Sequence, residues 1–201
     1  FEPLIADPWI DLHFITSPQA ASSCELLIIP GSKRTVEDLL WLRSKKLDQL
    51  ITDSNRVVMG ICGGYEMLHR TIVDPYAIES QHTSIEGLNL VDANIHFEKQ
   101  KRLRKGSYQE FGLTLQGFEM HHGVSTQPWI DTPHCIGTFL HAIFENDAFR
   151  TLLFSRYRAK YRAINYPVYK KSVIENFTQT LSISLDLRLV IKRLRAKNLQ
   201  H

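Results

Sequence analysis

The sequence predicts an α/β domain with an open, mostly parallel sheet flanked by helices. Two apolar runs, Glu25 to Ile29 and Arg56 to Ile61, have strand length and end at glycine-bearing turns, Pro30-Gly31 and Gly63-Gly64. A stretch of helical pattern separates them, and a second helix opens after the second run. Strand, helix, strand and helix in short alternation mark a parallel sheet with crossover helices.

The elements follow in order. Trp9 to Thr16 alternates loosely and is expected as a strand. Thr35 is placed to cap a helix, with Asp38 three residues on and Leu39, Leu40 and Leu42 supplying an apolar face. That helix should continue in some form to Ile51. Trp41, Leu39 and Leu42 are expected in the core. Tyr65 to His69 starts the next helix, and Asp74 to Gly87 is irregular. Val91 to Phe97 and Phe111 to Met120 read as strands added antiparallel, with the charged Lys99 to Lys105 as a hairpin or loop tip. Gly137 to Leu140 is a short strand and Glu145 to Ala163 a helix. Two more helices are expected at Lys171 to Thr180 and Leu185 to Lys197. No repeat or low-complexity linker interrupts the chain, so residues 1–201 read as one domain with a helical C-terminal extension from about residue 150 to 201.

Composition bounds the function. Hydrophobic residues make up 43% and charged residues 22% of 201, which excludes wholesale disorder and allows a real core. The longest apolar runs, such as Leu26 to Pro30, are far too short to cross a membrane, so no membrane partner is expected. The chain opens on Phe1 with no secretory signal pattern, and a piece of a longer polypeptide is expected. Cys24, Cys62 and Cys135 show no CxxC spacing and cannot all pair, which fits a reducing cytoplasm and no cysteine metal site. From Arg150 to His201 there are 12 Lys/Arg against 2 Asp/Glu, whereas the remainder carries 12 against 19. A basic end suits nucleic acid, an acidic protein surface or an anionic substrate, or is simply the solvated face of basic helices. The last reading is preferred, so no nucleic-acid partner is expected.

The chemistry centres on Gly60-Ile61-Cys62-Gly63-Gly64, between a buried strand and a helix. This is the pattern of a nucleophile elbow, with cysteine in place of serine. Small neighbours permit a tight, strained turn, and the helix N-terminus is expected to lower the thiol pKa. The Gly63 N–H would face a developing oxyanion, with Gly31, after the preceding strand, as a second donor. His141 ends the predicted strand Gly137 to Leu140 and is the candidate base. Against these stand plainer readings: an inert buried cysteine, a surface histidine and two ordinary turns. The His121-His122 pair invites a metal, but adjacent strand residues point to opposite faces, so no metal site is expected.

Four blocks then resemble a known family: Pro30-Gly31-Ser32-Lys33-Arg34-Thr35 with its helix through Arg43, Gly60-Ile61-Cys62-Gly63-Gly64-Tyr65-Glu66-Met67-Leu68, Gly117-Phe118-Glu119-Met120-His121-His122-Gly123, and Gly137 to Asp147. In this order they are similar to the glutaminase domain of cobyric acid synthases. The resemblance implies a class I glutamine amidotransferase fold, flavodoxin-like and three-layered. It implies L-glutamine as substrate, Cys62 as nucleophile forming a thioester, His141 as base, and Gly31 and Gly63 as oxyanion donors. Glu66, Glu119 and His121 would line the glutamine pocket, with Glu145 or Glu119 orienting His141. Ammonia would pass to a separate N-terminal synthetase domain, which uses ATP and Mg²⁺ to amidate a cobalt corrinoid, adenosylcobyrinic acid a,c-diamide, in cobalamin biosynthesis. This chain has no Gly-x-x-x-x-Gly-Lys-Ser/Thr loop and no room for that domain, so no cofactor is expected in it.

The chain departs from the family in places. Glu66 stands where the family usually has Gln, His69 for a usual Gly and Met120 for a usual Ile. Ile143 stands where other class I enzymes carry the Glu of a His-x-Glu pair. A carboxylate at 66 would repel an anionic substrate group or oxyanion, unless it is protonated or turned away. A degenerate, non-catalytic module therefore stays open as an alternative, as does the glutaminase subunit of a cell-wall lipid II amidotransferase. A thiol hydrolase of α/β-hydrolase type is disfavoured, because the four blocks have no place in it.

Overall fold

A computed structural model describes residues 1–21, 23–52, 56–186, 188–189 and 191–192. Helix α1 (Glu2–Ile5) is followed by strand β1 (Leu26–Ile29), helices α2 (Thr35–Ser44) and α3 (Leu47–Thr52), strand β2 (Val57–Ile61) and helix α4 (Gly63–Leu68). Strands β3 (His69–Val73), β4 (Ser84–Glu86), β5 (Val91–Glu110), β6 (Leu113–Val124), β7 (Trp129–Asp131) and β8 (Cys135–Thr138) come next. Helices α5 (Asp147–Phe154) and α6 (Tyr166–Ser184) close the described chain.

One sheet has the order β1-β2-β8-β7, with β1, β2 and β8 parallel and β7 antiparallel at the edge. Strands β1, β2 and β8 are apolar on both faces, as parallel strands covered on both sides must be. Leu27, Ile29 and Val58 face one core with Val36 and Leu39 of α2 and Leu68 of α4. Met59, Ile61 and Ile136 face the other with Leu4 of α1 and Phe149 and Leu153 of α5. These are the three layers expected. The second sheet, β4-β3-β5-β6, is antiparallel except for the β3–β5 pair and carries the predicted antiparallel additions. A bridge between Phe118 and His141 ties it to the first sheet.

Several local expectations are corrected. Trp9 to Thr16 forms no strand; it lies beside the core on the α1 and α5 face through Ile10 and Leu12, and Arg158 stacks 3.9 Å over the exposed Trp9 ring. Thr35 does not cap α2, because its hydroxyl is spent on Glu66, and Trp41 is exposed while Leu39 is buried. Lys46, at φ 58°, separates α2 from α3. Helix α4 lasts six residues, and His69 with the β-branched Thr71, Ile72 and Val73 goes into β3.

Lys99 to Lys105 is not a tip. It runs inside β5, and the hairpin turns instead at Phe111-Gly112, both at positive φ (56° and 71°), between the paired Glu110 and Leu113. Two consecutive left-handed residues give the turn whose twist matches that of paired strands. Charge marked exposure there, not a turn.

The helix expected over Glu145 to Ala163 is only α5. Beyond it, Tyr161 is buried and donates to Asp7 at 2.5 Å, and the Ala163 N–H reaches back to Thr151, which folds the chain over. The Lys171 to Thr180 helix lies inside α6, whose Asn165 side chain caps Val168 N at 3.1 Å. The helix expected at Leu185 to Lys197 lies largely outside the described residues.

The backbone around the elbow is packed to contact. A side-chain carbon at Gly64 would collide with the Ile29 carbonyl of β1. Gly64→Ala should lower stability by about 1–3 kcal/mol, the usual cost of overpacking. Urea unfolding checks this, and an unchanged midpoint would contradict the packing described.

Candidate active site

The site is built on the C-terminal ends of three adjacent parallel strands. Register pairs Ile29 with Gly60 and Ile61 with Thr138, so β1, β2 and β8 finish at one level. Gly31, Cys62 and His141 follow these ends. In open α/β sheets this edge is where ligands bind.

Cys62 sits at φ 50° and ψ −114°, a conformation strained for a residue with a Cβ. Its N–H donates to Thr138 O at 2.8 Å, and its carbonyl accepts from Glu66 N at 2.9 Å. The turn is thus pinned from β8 on one side and by α4 on the other. A carbon added at Gly63 would come within 2.7 Å of Ser32 N, so the two turns after β1 and β2 lie against each other. A carbon added at Gly31 would lie 3.1 Å from His141 Cε1 and 3.5 Å from Cys62 Cβ. Cysteine and histidine therefore border one small space, and Gly31 keeps it open.

Burial sets the protonation states. Desolvation pushes the Cys62 thiol up to about 12, reinforced by the Glu66 charge, while the Gly63 N–H pulls the other way. This corrects the expectation of a thiolate favoured by the helix N-terminus: α4 has six residues, and the dry surroundings outweigh it. Cys62 Sγ lies 3.7 Å from Met120 O, as fits a thiol that still has its proton to donate. His141 moves down, from burial first and then from the Lys101 charge. Its imidazole is neutral at neutral pH, which is the form a general base needs.

The His141 ring stacks on Phe118, with centroids 4.9 Å apart and planes 7° from parallel. Its backbone is clamped to Phe118 through His141 N to Phe118 O at 2.8 Å. The turn below is fixed by Thr138, whose hydroxyl donates to the buried Glu110 at 2.6 Å and accepts from Leu140 N. Further on, Arg150 is fully buried and binds the carbonyls of Phe144 and Ile164.

Glu66 is buried behind the nucleophile, where it accepts the Thr35 hydroxyl at 2.7 Å. Burial pushes its carboxyl up to about 8, with the nearby Glu79 adding to the shift. His121 stacks on Phe139, with centroids 4.0 Å apart, and shares its Nδ1 with Gly123 O at 2.6 Å. It lies close enough to His141 for their charges to oppose each other. His122 turns instead to Glu98 O on the more open side, so the two adjacent histidines do part, and no cluster of three metal-type ligands occurs among the described residues.

Not every expected residue joins the site. Glu145 is exposed on a 3₁₀ turn (Ile143–Glu145), and no hydrogen bond or ion pair links it to His141 among the described residues. Glu119 is buried on the same strand as His121, but its charged neighbours are Arg102 and Arg104. His141 Nε2 is buried without a partner among the described residues. Gly31, Cys62, Gly63 and His141 meet; Glu66 and His121 flank them.

Sequence reasoning missed Phe118, Thr35, Lys101 and Glu110. Phe118 and Thr35 lie inside the quoted blocks and were readable there as neighbours of the chemistry. Lys101 and Glu110 depend on the β5–β6 register, with its irregularity between Phe97 and Arg102, and no local signal marks them.

The CobB/CobQ-like glutamine amidotransferase domain matches residues 1–134. The chain belongs to this family. It is 38% identical to a cobyric acid synthase of Acinetobacter baylyi over 198 residues, covering 97% of this chain and 43% of that protein. A cobyric acid synthase of Thermodesulfovibrio yellowstonii is 32% identical, with 96% of this chain and 44% of that protein covered. One from Saccharopolyspora erythraea is 37% identical over 74% of this chain and 32% of its own length. The chain thus spans less than half the length of these relatives. A crystal structure of a glutamine amidotransferase superposes with a TM-score of 0.60 at 13% identity, covering 77% of this chain and 89% of that one, which shows the fold. The relatives favour a glutamine amidotransferase domain of the cobyric acid synthase type over the degenerate and cell-wall alternatives. No described helix is long and apolar enough to cross a membrane.

In this CobB/CobQ-like site the imidazole should titrate below the ordinary histidine value of about 6.5. The Lys101 charge opposes protonation, so Lys101→Met should move the His141 titration upward, toward that value. Proton NMR of the histidine rings checks this; a His141 that does not move would remove Lys101 from the site's electrostatics.

Proposed function

We propose that this chain hydrolyses L-glutamine through a Cys62 thioester and supplies the ammonia to the synthesis of cobyric acid. The carrying observation is the convergence of a strained cysteine turn and a neutral histidine on the space beside Gly31, at the ends of three parallel strands. His141 takes the thiol proton as Cys62 Sγ attacks the side-chain amide carbon of glutamine. The tetrahedral oxyanion is held by the backbone N–H groups of Gly31 and Gly63. His141 then returns the proton to the leaving nitrogen, and ammonia departs. Water activated by the same imidazole cleaves the thioester and releases glutamate. A thiol that starts neutral suits this sequence, because the proton moves only when substrate is in place. His121 borders the glutamine pocket in this reading, and Glu119 lies apart from it beside Arg102 and Arg104. Glu145 has no role in it, and the site works as a cysteine–histidine pair.

The ammonia acceptor lies outside this chain. In the proposed arrangement it is an ATP- and Mg²⁺-dependent synthetase portion that amidates the carboxylates of adenosylcobyrinic acid a,c-diamide, so the corrinoid meets this chain only indirectly. The relatives' names and their greater length support that arrangement. A cytoplasmic location accords with three free cysteines.

Cys62→Ala and Cys62→Ser should each reduce glutamine hydrolysis by about 10³-fold or more, as for loss of a nucleophile, and His141→Ala should follow. Ammonia release by the protein that carries this chain is the measurement. Undiminished release from either cysteine variant would take Cys62 out of the role.

A further inference from the structure

Glu66 is the most unusual group near the nucleophile. It is only 2% exposed, and no cation pairs with it among the described residues. One oxygen, Oε2, accepts the Thr35 hydroxyl; the other, Oε1, is buried against Gly123 without a hydrogen-bond partner. An ionised carboxylate in such surroundings is costly, whereas a carboxylic acid there resembles a buried amide in shape and charge. Glu66 also stands one helical turn after Cys62, and its charge acts directly on the thiol.

We infer that Glu66 is a proton-carrying positioning residue: with its proton it is a neutral neighbour of Cys62, and without it a buried negative charge opposes thiolate formation. The inference rests on Cys62 being the reactive thiol of the proposed glutaminase. The lost proton goes to water, and no bond to carbon changes. The sign is definite. Below its own titration Glu66 is uncharged and the thiol ionises unhindered. Above it, in a pH window opening near 8, the carboxylate makes the thiol harder to ionise.

The groups facing Glu66 set that window. Cys62 lies on its own helix. From α2 comes Thr35, whose hydroxyl favours the ionised form. From the loop before β4 comes Glu79, which accepts Thr35 N at 3.0 Å and raises Glu66. The Gly123 backbone on β6, preceded by His121 and His122, and Lys101 on β5 both lower it.

Alkylation of the 201-residue chain by iodoacetamide, followed peptide by peptide so that Cys62 is read apart from Cys24 and Cys135, tests this without glutamine. The ratio of the Cys62 rate in Glu66→Gln to that in wild type should be flat below about pH 7. It should climb to about tenfold by about pH 9.5, one thiol pKa unit. Thr35→Val, which removes a bond to the ionised form, should shift the onset in the wild-type carboxyl to higher pH. A ratio flat across the whole range overturns the inference. So does a rise whose onset Thr35→Val leaves in place, since that assigns the titration to another group. Should Glu66→Gln not fold, the comparison of Thr35→Val with wild type decides by the same criterion. These outcomes leave ammonia release untouched, so failure here is distinct from failure of the glutaminase reading.

Discussion

The parallel register of β1, β2 and β8 is the constraint from which the site follows. Because Ile29, Gly60 and Gly137 lie side by side, three chain reversals occur at one edge within a few ångströms. Each reversal then delivers one part: open backbone at Gly31, a thiol at Cys62, an imidazole at His141. The strain at Cys62 is stable because its N–H is bonded to β8 and its following helix is wedged against β1. Strain of this kind persists only where the surroundings over-determine it. The second sheet adds the lid side, with Phe118 against the imidazole and Met120 O beside the sulfur.

Electrostatics give the arrangement its character. The site is dry, and every titratable group in it is shifted toward its uncharged form: Cys62 up, Glu66 up, His141 and His121 down. Desolvation is the largest cause in each case. Nucleophile and base therefore rest as a neutral pair and not as a preformed thiolate and imidazolium. A neutral pair lets substrate binding, and not the resting enzyme, create charge. The field of Lys101 reaches thiol, carboxyl and imidazole together.

Much of this was legible in the sequence, where local chemistry and global fold agree. Buried runs ending in glycine turns gave β1, β2 and the elbow, and the strand before His141 gave the base its place. What was not legible depends on long-range pairing. The charged run Lys99 to Lys105 carries no turn residue, yet only its pairing with Leu103 opposite Met120 shows that it is strand. The thiol's protonation state was misread because a helix N-terminus is visible in sequence while burial is not. Glu145 was plausible by spacing from His141, but the turn that follows Ala142, at φ 62°, swings it to the surface.

The most direct measurement is covalent capture by an electrophilic diazoketone analogue of glutamine, with peptide mapping of the product. The account predicts a single adduct, on Cys62, prevented by excess L-glutamine. Labelling of Cys24 or Cys135 instead, or a Cys62 adduct that glutamine does not protect, would contradict it.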